Sequence, residues 1–304
     1  MVSDKEKKMA TEKPKEGESS KYINPLTDFG FKYLFGAKDL LIDFLNSVLD
    51  IDGGIKDLQY VNTEKTPRSA KERKSVLDLH CITKRGEHVI IEIQYQRHKN
   101  FIDRILIYIT DTLKEQAKKG KDVKIELAPL YSVNILDFCI DRKKTDKSVS
   151  YVQLIDRDTK EVFYKKLTLV FMELPRFRKN VHELQTGRDV WMFVLKNLKK
   201  LERMPDEIRN EVFEKLFQMA EIAALSEEDR KEYYQSLYNY NKMNLVIEEK
   251  NKTINVLRRR NAAYRQDVAA YQQREAAYKQ ENTAYKREIA ELRRLLDLNG
   301  EQVN

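Results

Sequence analysis

The sequence predicts a mixed α/β fold in the order helix, three strands, helix, strand, with added helices and a C-terminal coiled coil. Three observations carry this. Apolar residues alternate with period two in runs between residues 56 and 96, then change to helical period over 100–119. A strand-like apolar run returns at 127–138. Near the C-terminus the phrase Ala-Ala-Tyr recurs at Tyr264, Tyr271 and Tyr278, then as Thr-Ala-Tyr at Tyr285, a spacing of seven.

Taken in order, residues 1–20 hold five Lys against five acids and almost nothing apolar, and read as a disordered tail. Order begins near Tyr22. Asn24-Pro25 marks a turn, and Thr27 is the expected N-cap of a short helix through Phe35. A second helix follows Lys38, with Leu41, Ile42, Phe44, Leu45, Val48 and Leu49 on one stripe and Gly53-Gly54 at its end. Strands are expected at 56–62, 75–83 and 89–96, with a break at Gly86. The helix over 100–119 puts Phe101, Ile105, Tyr108, Ile109, Thr112 and Leu113 on one side, with Gly120 just past its end. After the strand at 127–138, two weaker strands at 151–155 and 162–173 extend the sheet. A helix over 187–200 and further amphipathic helices to Tyr240 cover it. The expected division is 1–20 tail, 21–185 catalytic-type α/β domain, 186–240 helical extension, 241–298 heptad segment and 299–304 tail.

The 304 residues suffice for a large buried core, and the 35% charged fraction exceeds the usual quarter. No apolar run reaches the roughly eighteen residues a membrane helix needs, so no membrane partner is expected. The first twenty residues lack the apolar stretch of a secretory signal. Cys81 and Cys139 lie in apolar runs, which suits reduced thiols, points to a cytoplasmic protein and excludes a disulfide scaffold or a Cys-based zinc module. The net charge of +8 is spread thinly: zero in 1–20, +4 in 21–240 and +4 in 241–304. It permits a nucleic-acid partner without a dense basic block. Walker loops, GxGxxG, nucleophile elbows and zinc motifs are absent from the sequence.

With the tyrosines at d, that heptad column reads Leu257, Tyr264, Tyr271, Tyr278, Tyr285, Leu292, and the a column Ile254, Asn261, Val268, Glu275, Asn282, Ile289, Leu296. Glu275 weakens the seam, while the two Asn help to fix register. In a parallel pair, Arg260–Arg265 and Arg274–Lys279 repel, whereas Glu281–Lys286 and Glu288–Arg293 attract, so pairing is expected to be tighter in the C-terminal half. A homo-oligomer, most simply a dimer, keeps the tyrosine stripe from water; the alternative is a single long helix, or one folded back on the domain.

Chemistry concentrates at 75–96. On one strand Val76, Asp78, His80 and Ile82 share a face; on the next Ile90, Glu92, Gln94 and Gln96 share one. A three-residue loop Lys84-Arg85-Gly86, closed by Gly86 in the left-handed region, pairs Thr83 with Glu87 and brings Asp78 opposite Glu92, with Cβ atoms ~5 Å apart. A two-residue Arg85-Gly86 turn would put the acids on opposite faces, but Arg tolerates positive φ poorly. Two carboxylates so close call for a cation. A hard divalent ion such as Mg²⁺ fits Asp78, Glu92, a backbone carbonyl and waters, and a metal-activated water attacking a phosphodiester is the chemistry such a site suits. The pattern leaves a second reading open: a solvated antiparallel sheet face. Arg104 and Tyr108, four apart, share a helix face that contacts either a scissile phosphate or only solvent. His80 lies on the Asp78 face. His88, His98 and His182 show no ligand spacing. Lys196, Lys199 and Lys200 are candidates to meet a DNA backbone, but a solvated helix face explains them more simply.

Asp78 followed by Glu92-x-Gln94 across a hairpin resembles the PD-(D/E)XK restriction-endonuclease-like core, with Gln in the lysine position. The segment from Asn24-Pro-Leu-Thr-Asp28-Phe-Gly-Phe-Lys32 to Phe35, with Leu77-Asp78-Leu79, Ile91-Glu92-Ile93-Gln94, and Arg104 followed by Tyr108, resembles the recombination-promoting nuclease, or PD-(D/E)XK nuclease family transposase, family of bacteria over about residues 22–240. The resemblance implies a metal-dependent DNA endonuclease, with Mg²⁺ or Mn²⁺ held by Asp78, Glu92 and the Ile93 carbonyl and with Gln94 orienting the nucleophile. Asp28, Lys32, Arg104 and Tyr108 would meet substrate. It also allows a catalytically weak DNA-binding or assembly protein on the same fold, because Gln94 removes a cation from the site.

Overall fold

The computed structural model describes residues 20–61, 64–65, 75–76, 78–97, 100–117, 126–140 and 147–300. The expected tail up to residue 19 and the helix stop at Gly120 lie outside them. The chain divides into two compact units, Met1–Asn244 and Leu245–Asn304.

The first unit opens with α1 (Asp28–Phe35), capped as the sequence expects: Thr27 Oγ1 accepts the Gly30 N–H at 3.0 Å. Helix α2 (Lys38–Val48) buries Leu40, Leu41, Phe44, Leu45 and Val48. It ends earlier than the glycine pair implied. Leu49 is already extended (φ −100°, ψ 135°), so Gly53 and Gly54 serve the next turn instead. Then come β1 (Leu58–Tyr60), β2 (Glu64–Lys65), β3 (Ser75–Val76), β4 (Leu79–Thr83) and β5 (His88–Gln94). The single strand expected over 75–83 is therefore two. Its first part pairs with β2 as a separate ribbon, while the second joins the main sheet. After α3 (Phe101–Gln116) follow β6 (Leu130–Leu136), β7 (Val149–Ile155) and β8 (Val162–Glu173).

The main sheet has six strands in the order β1-β4-β5-β6-β8-β7. Strands β5, β6 and β8 run parallel; β1, β4 and β7 run antiparallel to their neighbours. The run at 162–173, a weak strand by pattern, is an interior strand. Its sequence reads apolar only where neighbours cover both faces, from Leu169 to Met172.

Side-chain parity sorts the two faces. Val89, Ile91 and Ile93 of β5, with Val133 and Ile135 of β6, join the larger core, where Phe35, Phe44, Trp191 and Phe213 pack ring against ring. That core takes in α1, α2, α4 (Gly187–Asn197) and α5 (Glu211–Ala220). Ile90, Leu130 and Leu136 join the smaller core under Phe101, Ile105, Tyr108 and Ile109 of α3. Helix α3 thus covers the face that carries Glu92. The last helix, α6 (Glu227–Gly300), starts at Ser226, whose Oγ accepts the Asp229 N–H at 3.1 Å. Among the described residues no helix is long and apolar enough to cross a membrane.

In the second unit the helix carries Tyr264, Tyr271, Tyr278 and Tyr285 at 69%, 70%, 67% and 57% exposure. Glu275, at an a position of the heptad reading, is ion-paired within the helix to Lys279 at 2.6 Å.

Candidate functional site

The site is built by the β4–β5 hairpin. Gly86 sits at φ +91°, its N–H bonds to the Thr83 carbonyl at 2.9 Å, and the Thr83 N–H bonds to the Glu87 carbonyl at 2.9 Å. This is the three-residue loop, and the register runs Ile82↔His88, Cys81↔Val89, His80↔Ile90, Leu79↔Ile91. One step further brings Asp78 level with Glu92. The Thr83 N–H bonds to the Glu87 carbonyl and the Glu87 N–H to Thr83 Oγ1, so counting from that bonded pair, Asp78 and Glu92 five residues on form a pair without ladder bonds, the kind with the closer side chains.

There the ladder gives way to a clasp. The Asp78 N–H donates to Glu92 Oε1 at 3.3 Å, and the Ile93 N–H donates to Asp78 Oδ2 at 2.7 Å. Each carboxylate thus accepts an amide from the opposite segment. In a strand the N–H and C=O of one residue point to the same side, so the Ile93 carbonyl faces the same fork. Gln94 Nε2 donates to the other Glu92 oxygen at 3.4 Å.

Glu92 is 2% exposed. Burial pushes its carboxyl well above the usual range, and the neighbouring Asp78 pushes it further; the Asp78 amide, Arg104 and Gln94 pull the other way. Asp78 is also raised by burial, against the Ile93 amide, Lys32 and Arg104, while Asp28 adds to the rise. Arg104 on α3 therefore lies within electrostatic reach of both acids. Its guanidinium donates to the Tyr108 hydroxyl at 3.1 Å and leans over that ring at 5.9 Å. Tyr108 is buried and fixes the arginine's direction.

Asp28 and Lys32 are one turn apart on α1 and ion-paired at 2.8 Å. The motif around them needs Gly30: a Cβ there would lie 2.2 Å from the Asn24 carbonyl oxygen. Lys32 borders a cavity of about 460 Å³ whose wall also includes Asp78 and His80.

The fork offers two side-chain oxygen donors. Among the described residues no group of three or more His, Cys, Asp or Glu gathers to hold a metal. That donor set suits a hard ion that keeps several waters. It does not suit zinc, which takes four protein ligands, or three and a water.

Other residues emerge only from the fold. Asn134 of β6 pairs in register with Glu92, is fully buried, and donates to the Ser132 and Val170 carbonyls at 3.1 and 3.2 Å. His80 and His88 approach to 3.1 Å between ring nitrogens on the acid face. Asp137, just past β6, donates its N–H to the Gln94 carbonyl at 2.9 Å and accepts the Tyr240 hydroxyl at 2.8 Å. Lys196 and Lys199 are not a solvated helix face. Both are half-buried, Lys196 Nζ donates to the Phe177 carbonyl at 2.5 Å, and Lys199 Nζ stands 5.1 Å from the Tyr240 ring centre. Burial depresses both ammonium groups, and so does the charge of Lys200.

A mixed sheet with helices on both faces and a carboxylate pair at the fork of a hairpin belongs with the nuclease-type α/β proteins. The chain is a member of the PD-(D/E)XK nuclease family transposases, whose family model matches residues 25–250. No curated protein and no solved structure matches it.

Proposed function

We propose that the protein is a divalent-metal-dependent DNA endonuclease acting in transposition or recombination, and that the helix, strands, helix, strand run from α1 to β6 is its catalytic core. The observation that carries this reading is the reciprocal clasp of Asp78 and Glu92. The buried Glu92, which holds the Asp78 and Gln94 amides, and the half-buried Asp78, which holds the Ile93 amide, keep further lone pairs directed into one fork. Mg²⁺ or Mn²⁺ would be held by Asp78, Glu92 and the Ile93 carbonyl, with water completing the shell. Bound there, the ion would lower the pKa of a water and polarise the phosphodiester. Gln94 orients that water through its amide. It carries no charge and cannot act as base, so the proton leaves through solvent or a substrate phosphate oxygen. Arg104, held by Tyr108, faces the charge that builds on the phosphate. Lys32, released from Asp28, meets the adjacent strand backbone. The heptad tyrosines join two copies so that two sites act on two strands.

Incubating the full-length protein with supercoiled plasmid tests this. Nicking should require Mg²⁺ or Mn²⁺ and fall at least about a hundred-fold in Asp78→Ala and Glu92→Ala. Cleavage undiminished in Asp78→Ala would put the chemistry elsewhere. The absence of a lysine at position 94 favours one other reading, an assembly protein that binds DNA without cutting it; that protein would nick under no divalent ion.

A further inference from the structure

A cavity of about 700 Å³ opens beside the acid fork, between the first turns of α1 and the start of α6. Lys32 borders both this cavity and the smaller one that holds Asp78. Its lining is aromatic. Phe29 and Tyr33 stack at 5.2 Å with 16° between their planes, and Tyr95 meets Tyr240 edge-on at 5.5 Å. Tyr95 directly follows Gln94, so the cavity adjoins the end of the strand that carries the acid. Its neutral polar groups are the hydroxyls of Thr27 and Ser236, which take the Gly30 and Phe29 amides, and the exposed amides of Gln235 and Asn239, which meet at 3.4 Å. Its charges are poor for an anion: Asp28 cancels Lys32 at 2.8 Å, and Glu232 is left over. A phosphate gains little there. A flat, uncharged group with apolar faces and hydrogen-bonding edges fits rings and amides together, and that describes a nucleobase. Of the lining residues, Tyr240 has a positive charge over its ring: Lys199 stands 5.1 Å from the ring centre, with Lys200 in electrostatic range of that lysine.

We infer that this cavity receives an unpaired nucleobase next to the cleaved bond, so that the preferred substrate is DNA with a flap, gap or frayed end. The inference rests on the acid fork being the cleavage centre. A base already out of its pair enters without the few kcal/mol of unstacking that an intact duplex demands.

The test uses the metal-free full-length protein and two duplexes of equal length, one fully paired and one with a short flap carrying 2-aminopurine. The flapped duplex should bind about ten-fold tighter, and its emission should be quenched on binding, since stacking on an aromatic side chain contributes ~1–3 kcal/mol per base. Tyr33→Leu should abolish both effects while leaving the paired duplex bound as before. Gln235→Ala, at an exposed position, should move in the same direction by less. Equal affinity for the two duplexes, or quenching unchanged in both variants, overturns the proposal. The parent protein given Mg²⁺ or Mn²⁺ separates the two readings: quenching by a protein that cuts under neither ion leaves the base site standing and removes the nuclease, whereas cutting without quenching does the reverse.

Discussion

Glu92 and Asp78 are acids that the fold makes hard to ionise, and that has a measurable sign. Their folded-state pKa values lie above the unfolded ones, so between the ordinary carboxylate range near ~4 and the raised values the unfolded chain gives up its protons first. Their contribution to stability is full at low pH and is lost as pH rises through that window. Glu92→Gln keeps an oxygen for the Asp78 amide and removes the charge. It should raise the melting temperature of the metal-free protein by a few degrees at pH 8 and leave it nearly unchanged near pH 4, measured by scanning calorimetry. Mg²⁺ should stabilise the parent protein more as pH rises, because its ligands must be ionised, and should not stabilise the variant. A melting profile indifferent to the substitution at both pH values would show that the pair is not buried as described. Both acids were legible beforehand because period-two parity and the hairpin loop fix which residues face each other. Asn134, Asp137 and Tyr240 were not, since each comes from a distant segment and no local pattern marks it.

At the scale of elements, the hairpin is the part on which the site's geometry depends. Gly86 holds φ +91°, and a Cβ there would meet nothing within 4 Å. Any cost of Gly86→Ala is therefore backbone strain, about 1–2 kcal/mol, without a clash. Gly86→Asn should recover much of it, because Asn tolerates the left-handed region. Denaturant titration of the three proteins checks this; equal midpoints would mean that the loop does not need the conformation. Loop, register, Thr27 cap and the span of β8 follow from turn chemistry and alternation, which act over a few residues. The split of 75–83 does not, because the alternation runs on unbroken through Asp78. What ends β4 is the carboxylate clasp, in which side chains take the amides that a ladder would have used. The early end of α2 is similar: propensity would carry the helix on, but Leu49 and Ile51 turn into the core.

At the scale of the whole molecule, the tyrosine stripe bears on how many copies act together. In one chain the d-position tyrosines are more than half exposed, an arrangement that a second helix would relieve. The e column reads Arg258, Arg265, Gln272, Lys279, Lys286, Arg293. An antiparallel pair sets e against e and so opposes basic residues along most of the seam. A parallel pair sets g against e and gains Glu281–Lys286 and Glu288–Arg293. It also puts Asn261 and Asn282 each against its own copy, where the amides bond to each other. The Glu275–Lys279 ion pair within the helix then softens the one acidic layer. A parallel, in-register dimer is the expected state. Sedimentation should give a dimer for the full-length protein and a monomer for Tyr271→Glu/Tyr278→Glu. A cysteine introduced as Asn282→Cys, with Cys139→Ser to remove the half-exposed native thiol, should oxidise to a covalent dimer in high yield. A dimer that resists this cross-link would have its helices antiparallel or out of register. If the parent protein is monomeric and is the nuclease proposed, each copy would cut one strand at a time, and the plasmid assay would then yield nicked circles without linear product.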